Sequence, residues 1–293
     1  MFITEDIHHE NPVEESYWVE AVELSDSLGV DLINTSLGYF DYDNPAYSYT
    51  YEQLNGTTAF ASQAADIAFD KGMICVTSAG NSGSTSNPHI GVPAESIKTI
   101  AVGAVDLNEN RVSFSSIGPT ADARIKPDLC AKGYQAVVCE PSGAIVQANG
   151  TSFSSPILAG AITSFWSSSP NLTNQQVVDY VKASADQFTN PDHLKGYGIP
   201  DFKRLLNDLQ GYFPEGMNTI IYYKPIDNQI NIILPNKVTD AEFKLFDASG
   251  KLVELFQVST MKWCFQLSPH AKGVYFYDLS GDNLKLQGKL LIR

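Results

Sequence analysis

Residues 149–160 read NGTSFSSPILAG and place a serine, Ser152, at the expected start of a buried helix. Apolar residues then recur at helical spacing, which predicts a helix that continues to about Ser168. Backbone N–H groups at a helix start are unpaired and the helix dipole is positive there, so negative charge beside Ser152 would be stabilised. Two interpretations follow: Ser152 is a nucleophile, or Thr151 or Ser152 is an ordinary helix N-cap.

The chain before this helix alternates between helical and buried-strand patterns. The segments EESYWVEAVELSDSLG (14–29) and TAFASQAADIAFDKG (58–72) have helical patterns, and the apolar runs VDLINTSLG and MICVTSAGN follow them. In the first helix we expect Trp18, Val22 and Leu28 on one face, with Gly29 as the C-terminal cap. IKTIAVGAV (97–105) supplies a further strand. The alternation indicates an α/β domain with a parallel sheet.

Beyond residue 216 the pattern changes to short alternating β runs separated by turn signals such as DASG and SGDN. The runs are TIIYY, QINIIL, AEFKLFD, KLVELFQV, KWCFQL, GVYFYDL and LKLQGKLLI. Six or seven short strands in one segment are typical of a small β-sandwich. We therefore predict an α/β domain over residues 1–210, a linker over residues 211–216 and an all-β sandwich over residues 217–293.

The composition limits the classes of partner. The formal net charge is -14 and no basic run occurs, which argues against nucleic-acid binding. Residues 217–293 carry 9 Lys and Arg against 7 Asp and Glu, whereas residues 1–216 carry 10 against 26. No run of about 18 apolar residues occurs, so no membrane span is predicted. The expected partners are proteins or peptides.

The cysteines do not form a recognisable metal or redox motif. Cys75, Cys130, Cys139 and Cys264 have no C-x-x-C spacing, which disfavours a structural zinc site. Two interpretations stay open for Cys130 and Cys139: they form a disulfide in an exported protein, or they remain free buried thiols.

Three motifs, each at the end of a predicted element, together resemble the subtilisin-like serine peptidases: NTSLG, TSAGNSG and GTSFSSP. The resemblance covers roughly residues 10–210 and implies that Ser152 is the nucleophile and that Asn81 donates a hydrogen bond to the oxyanion. It further implies that polypeptide substrates bind along two segments, Ser36, Leu37, Gly38 and Ser78, Ala79, Gly80. The chemistry needs no cofactor or metal, and the structural calcium that is common in the family has no assignable residues.

Each of these residues also has an ordinary structural interpretation. Asn81 fits a left-handed turn, which Asn often adopts, and Ser36 fits a solvated strand end. His89 and His193 lie in polar loops, where we expect them to be exposed. We expect the aromatic residues between positions 39 and 51 to form a surface loop partly packed on the domain, rather than a binding loop over the cleft.

The resemblance does not extend to the catalytic Asp and His of the family. The family places its Asp in an Asp-Ser/Thr-Gly turn and its His in a His-Gly-Thr segment, and neither motif occurs here. His8 and His9 fall in a polar stretch before the first helix. We therefore expect that the chain begins inside the peptidase domain, that a signal peptide was lost with the missing part, and that the chain alone has little or no peptidase activity. The alternative is a non-catalytic surface or binding protein derived from a peptidase.

The carboxy-terminal segment carries a second resemblance. FKLFDASGKLV and the final GVYFYDLSGDNLKLQGKLLIR resemble the C-terminal sorting domain of the type IX secretion pathway of certain Gram-negative bacteria. The resemblance implies a secreted or cell-surface protein that interacts with the secretion machinery. A generic accessory β-sandwich is the alternative.

Overall fold

The computed structural model describes residues 2–6, 8–170, 172–208, 220–224, 228–234, 240–259, 262–268, 272–281 and 284–292. The chain divides into two compact units, Met1–Phe202 and Lys203–Arg293, and each is described by itself. The predicted linker, residues 211–216, lies outside the described residues.

The first unit alternates helices and strands, as the sequence predicts. In chain order its elements are α1 (Val13–Ser27), β1 (Leu32–Thr35), a short 3-10 helix (Tyr51–Gln53), α2 (Phe60–Asp70), β2 (Ile74–Ser78), β3 (Ile100–Val105), β4 (Leu129–Lys132), β5 (Ala136–Cys139), β6 (Ile145–Ala148), α3 (Thr151–Ser168) and α4 (Asn174–Ala183). A capping box formed by Thr173 and Gln176 starts α4.

A parallel sheet forms the centre of this unit, with strand order β1-β2-β3-β4. Every residue of β2 and β3 is buried, which requires that both faces of the sheet are covered. The helix α3 contacts all four strands, while α2 contacts β2 and packs against α1. The edge strand β1 is only partly buried.

Glycines end the first two helices. Gly29 has a φ of 74° and Gly72 a φ of 107°, a region that favours glycine. The Gly29 N–H donates to the Asp26 carbonyl and the Val30 N–H donates to the Ser25 carbonyl, which is the Schellman pattern. Because α1 ends at Ser27, Leu28 is the cap residue and is 68% exposed. The expectation that Leu28 belongs to the buried face is therefore wrong, whereas Trp18 and Val22 are buried.

Charged side chains lie buried beside the sheet. Asp128 accepts hydrogen bonds from the Ala101 N–H at 2.8 Å and from Lys126 Nζ at 2.7 Å, and its other oxygen contacts Lys182 Nζ at 2.7 Å. Burial opposes ionisation of Asp128, but the two ammonium groups outweigh it and hold its pKa at about 2. Asp128 is therefore ionised at neutral pH.

Glu95 is a second buried charged residue with fewer partners. Its Oε2 accepts a hydrogen bond from Ser62 Oγ at 2.7 Å, while Oε1 has no partner among the described residues. Burial raises the pKa of Glu95 to about 7, against the smaller opposing effects of the Ser62 hydrogen bond and of Lys126 and Arg124. Folding therefore favours the protonated form of this carboxyl group.

The second unit contains the β runs expected from the sequence, preceded by α5 (Phe202–Asp208), which begins at its boundary. The strands are β7 (Ile220–Lys224), β8 (Gln229–Ile233), β9 (Ala241–Phe246), β10 (Leu252–Val258), β11 (Lys262–Gln266), β12 (Gly273–Gly281) and β13 (Leu284–Ile292). They form antiparallel sheets of order β10-β9-β12-β13 and β11-β8-β7. Both sheets contribute to one core, with Ile230 and Phe265 from one and Phe243, Leu279 and Leu290 from the other. The predicted sandwich is thus present.

Two further sequence expectations concern cysteines and membrane spans. All four cysteines are free; Cys130 is buried and Cys139 is exposed. The disulfide interpretation of Cys130 and Cys139 is therefore wrong in this structure, and the buried-thiol interpretation holds only for Cys130. Within the described ranges, no helix has both the length and the apolarity that a membrane crossing requires.

Candidate active site

A cleft of about 470 Å³ lies at the carboxyl ends of β1 and β2, beside the start of α3. Neighbouring parallel strands end at the same edge of a sheet, so the segments that follow β1 and β2 meet there. The structure brings together all eight residues that the sequence analysis singled out for the site. The cleft is lined by Ser36, Leu37, Gly38, Ser78, Ala79, Gly80, Asn81 and Ser152.

Ser152 is the second residue of α3, and Gly150 is the cap residue. The φ of Gly150 is 153°, which L-amino acids with a side chain rarely adopt, so the helix start requires a glycine. Because Gly150 is the cap residue and both Thr151 and Ser152 lie within the helix, the N-cap interpretation of Thr151 or Ser152 is wrong. The Ser152 hydroxyl donates to the Ser36 carbonyl at 3.2 Å, and the Ser36 hydroxyl donates to the Ser152 carbonyl at 3.0 Å.

Asn81 is held in one orientation by Thr151. The Asn81 Oδ1 accepts hydrogen bonds from the Thr151 N–H at 2.9 Å and from Thr151 Oγ1 at 3.1 Å. Thr151 Oγ1 in turn accepts from the Gly80 N–H at 3.2 Å. Because both bonds use the carbonyl side of the amide, the Asn81 Nδ2 donors have no hydrogen-bond acceptor in the described part of the chain and remain available to a ligand.

A second set of hydrogen bonds fixes the Ser36 side chain, and the sequence analysis missed it. Ser155 Oγ donates to Asn34 Oδ1 at 2.7 Å, and Asn34 Nδ2 donates to Ser36 Oγ at 3.0 Å. Asn34 and Ser36 are two positions apart in the NTSLG motif, and residues two apart on an extended strand share a face. The motif could therefore have indicated that the Asn34 side chain lies beside that of Ser36. Ser155 lies on α3, and the chain of bonds therefore ties the end of β1 to the helix that carries Ser152.

Close backbone contacts shape the cleft walls. Tyr39 and Val92 exchange both backbone hydrogen bonds, at 2.8 and 3.0 Å, which joins the segment after β1 to the opposite wall. Gly80 has a φ of 103°, and a Cβ there would lie 2.8 Å from Ser116 Oγ. Only glycine therefore fits this turn. The expected surface loop is partly packed, with Tyr39 and Tyr42 buried, yet Tyr39 and Phe40 also line the cleft.

The histidines do not supply a base to Ser152 in the described residues. His89 lines the cleft and stacks on Tyr51 with ring centroids 4.0 Å apart, so its expected full exposure is wrong. Burial lowers the pKa of His89, which favours the neutral form of its ring. His193 is also partly buried. His9 contacts Asp43 at 3.2 Å, and the Ser152 hydroxyl bonds to no imidazole within the described ranges.

No metal-binding cluster accompanies the cleft. Within the residues that the structure describes, no three His, Cys, Asp or Glu side chains converge in a way that could hold a metal ion.

Comparison with known proteins identified two matching family models. Residues 7–198 match the model described as the subtilase family. Residues 220–293 match the model described as a secretion system C-terminal sorting domain. The second match indicates a secreted or cell-surface protein.

Similar proteins of known identity are identical to this chain at about a third of the aligned positions. Subtilisin DY of Bacillus licheniformis is 38% identical over 168 residues, which are 57% of this chain and 54% of the relative. Subtilisin NAT of Bacillus subtilis subsp. natto is 34% identical over 176 residues, 60% of this chain and 41% of the relative. The chain thus spans about half the length of these relatives.

A solved structure supports the architecture. The Prenylagaramide maturation protease PagA superposes with a TM-score of 0.54 at 22% identity, covering 68% of this chain and 69% of that chain. A likeness at this identity concerns the fold alone. Together with the family match, it confirms the predicted subtilisin-like α/β fold for the first unit.

Proposed function

The chain belongs to the subtilase family, and from this membership we propose that the whole protein is an exported serine endopeptidase that forms an acyl-enzyme at Ser152. The observation that carries the proposal is the position of the Ser152 hydroxyl, at the start of α3 and in a cleft between two strand ends. Polypeptides are the proposed substrates.

The nucleophilic step needs a base, because a serine hydroxyl attacks a carbonyl only when its proton is removed. In this structure the Ser152 hydroxyl donates to the Ser36 carbonyl, with an oxygen–oxygen distance of 3.2 Å. An imidazole placed at the cleft would accept this proton while Oγ bonds to the scissile carbonyl carbon. The same imidazole would give the proton to the leaving amine, and water would then hydrolyse the acyl-enzyme.

The oxyanion would be met by two donors. The first is the Asn81 Nδ2, whose orientation is set by the two bonds from Thr151 to Oδ1. The second is the Ser152 N–H, which lies in the first turn of α3, where N–H groups have no intrahelical acceptor. Donors that are already oriented cost no reorganisation when the charge develops, which is the source of their catalytic effect.

Substrate backbone would bind along both walls of the cleft. Residues 36–38 directly follow β1, and residues 78–80 include the last residue of β2 and the two residues after it. An extended peptide in the cleft would therefore have one of these two segments on each side. We propose that Ser36, Leu37 and Gly38 pair with the substrate backbone. Around them the cleft carries hydroxyl and amide groups of Ser82, Thr85, Ser86, Asn87 and Ser116.

The catalytic imidazole and its carboxylate partner would come from outside residues 1–293. No His-Gly-Thr or Asp-Ser/Thr-Gly motif occurs in the sequence, and no described imidazole bonds to the Ser152 hydroxyl. In subtilisin, loss of the catalytic serine or histidine costs about 2 × 10⁶ in turnover. We therefore propose that residues 1–293 alone have little or no peptidase activity.

A second candidate function is a non-catalytic binding protein built on a peptidase fold. The observation that favours it is that the Ser152 hydroxyl donates to the Ser36 carbonyl rather than to a base. The orientation of Asn81 favours the enzyme instead, because its Nδ2 donors are left free in the cleft and take no part in the packing of the domain.

Export is proposed to depend on the second unit, whose residues 220–293 match the sorting-domain model. In this proposal the β-sandwich is the sorting signal for the secretion machinery and takes no part in hydrolysis. Deletion of residues 220–293 should retain the protein inside the cell.

The peptidase proposal is tested by hydrolysis of a denatured protein substrate. The protein is purified as its native gene expresses it, together with Ser152→Ala and with Ser164→Ala, which changes an exposed serine on the same helix. We expect hydrolysis by the wild type and by Ser164→Ala, and none by Ser152→Ala. Equal activity of all three would refute the role of Ser152, and inactivity of all three would favour the binding protein.

A further inference from the structure

The outer face of the sheet β10-β9-β12-β13 has an unusual distribution of side chains. Side chains alternate along each strand, so residues that flank buried positions point away from the core. Phe246 pairs across strands with Leu252 on one side and with Phe276 on the other. Phe276 in turn pairs with Lys289, and Val274 pairs with Leu291. The register therefore places these apolar residues side by side at one end of the sheet.

We call this set the apolar row and define it as Leu252, Phe246, Phe276, Val274 and Leu291. Phe276 is 48% exposed and Leu291 is 49% exposed. Single exposed apolar residues are common on soluble proteins, but a contiguous exposed patch usually marks an interaction site. The other end of the same face is polar, with Glu242, Ser280, Lys285 and Gln257.

Two cations on this face, Lys285 and Lys289, have no ion-pair partner among the described residues. Glu242 pairs with Lys244 at 2.8 Å, and Asp278 accepts a hydrogen bond from Gln287 at 2.6 Å. Of the two, Lys289 lies directly opposite Phe276. A shallow depression of about 650 Å³ on this face is lined by Phe246 and Phe276, by the cations Lys244 and Lys289, and by Asp278 and Gln287.

We infer that the apolar row and Lys289 form the surface by which this domain docks onto a protein of the secretion machinery. The partner would place apolar side chains on the row and a carboxylate against the Lys289 ammonium, because this unpaired charge lies directly across from Phe276, at the apolar end of the face. The inference rests on the proposed role of residues 220–293 in export and adds which face of the sandwich is recognised. The polar end of the sheet face lies outside the contact.

The test measures export of the full-length protein in a bacterium that has this secretion system, as the fraction found in the medium and on the cell surface. The variants are Phe276→Ser, Leu291→Ser and Lys289→Glu. The matched control for the charge is Lys285→Glu, on the same strand and face but at the polar end. The matched apolar control is Leu206→Ser, which changes a 42% exposed residue of α5.

We expect each apolar-row variant and Lys289→Glu to lower export at least about tenfold, the effect of losing a central anchor of an interface. Both controls should stay within about twofold of the wild type. Thermal unfolding of the purified 293-residue variants checks the fold, and Lys289→Glu keeps the test decisive if a serine variant is unstable. Normal export of Lys289→Glu and of every stable apolar-row variant would overturn the inference.

The other outcomes are separable. If deletion of residues 220–293 leaves export intact, the sorting role itself fails; if deletion abolishes export while the row variants are exported normally, only the docking face fails. A wild-type dimer that Phe276→Ser converts to a monomer in sedimentation would assign the face to a second copy and overturn the inference. Binding of the purified chain to anionic phospholipid vesicles that Lys289→Glu abolishes would likewise overturn it, in favour of a lipid headgroup.

Discussion

The buried carboxyl group of Glu95 gives a quantitative prediction for Glu95→Gln. The unfolded chain ionises this group near its ordinary pKa of 4.5, whereas burial raises the pKa in the folded protein to about 7. Between these values the folded state holds the extra proton, so the free energy of unfolding falls as the pH rises through this range. The difference corresponds to about 3 kcal/mol, at about 1.4 kcal/mol for each tenfold change in the ionisation constant.

We therefore expect Glu95→Gln to raise the free energy of unfolding by up to about 3 kcal/mol at pH 8 and to leave it nearly unchanged at pH 4. Urea unfolding of the 293-residue chain at both pH values measures this difference. Glu20→Gln, at an exposed position of α1, controls for the loss of a surface charge. A Glu95→Gln variant that is less stable than the wild type at pH 8, or whose effect does not depend on pH, would refute the reasoning.

Three further predictions concern other described residues. Asp128→Asn removes the carboxylate of the buried Lys126 and should cost about 3–5 kcal/mol in urea unfolding at pH 7. In the wild type, ionised Asp128 should contribute fully to the free energy of unfolding above its unfolded pKa of 3.8. This contribution should be lost as the pH falls toward 2. Gly80→Ala should lower the melting temperature more than Gly29→Ala, because both have positive φ but only the alanine at 80 would clash with a neighbouring side chain. Asn81→Ala in the native gene product should lower kcat about 10²–10³ with little change in KM, the loss known for such a donor in subtilisin; an unchanged kcat would remove Asn81 from the oxyanion site.

Local sequence patterns were sufficient for most elements of the fold, although they did not predict β4, β5, β6 or the short 3-10 helix. The seven β runs of the carboxy-terminal segment are β7 to β13, and the helix-strand alternation before them is the parallel sheet. Periodicity and glycine placement are local signals, and both are strong here. The prediction for Leu28 was wrong because the exact end of a helix depends on its cap. The helix ends at Ser27, so Leu28 lies outside its buried face.

The residues of the candidate site were predicted from the resemblance of three motifs to the subtilisin-like peptidases, and the strand order explains why they meet. Segments that follow adjacent parallel strands meet at one sheet edge, which is why Ser36, Gly80 and Asn81 share a cleft with Ser152. The orientation of each group could not be predicted, because it depends on contacts between distant segments. The bond from Thr151 to Asn81 joins residues 70 positions apart, and that from Ser155 to Asn34 joins residues 121 apart.

His89 illustrates the same limit. Its polar loop predicts exposure, but the loop folds back so that the ring stacks on Tyr51 and lines the cleft. The sequence of the loop alone does not indicate that the His89 ring stacks on Tyr51. It also does not indicate the burial that lowers the pKa of His89. Such long-range packing has to be read from the structure.

The most direct test of the account is labelling by a fluorophosphonate probe, which reacts with a serine hydroxyl only when a base activates it. The protein as its native gene expresses it is treated with the probe, digested and analysed by mass spectrometry, beside the Ser152→Ala variant and the 293-residue chain. We predict stoichiometric modification of Ser152 in the native product and none in the other two. An unmodified Ser152 in the native product, or a label on another serine, would contradict the assignment of Ser152 as the nucleophile.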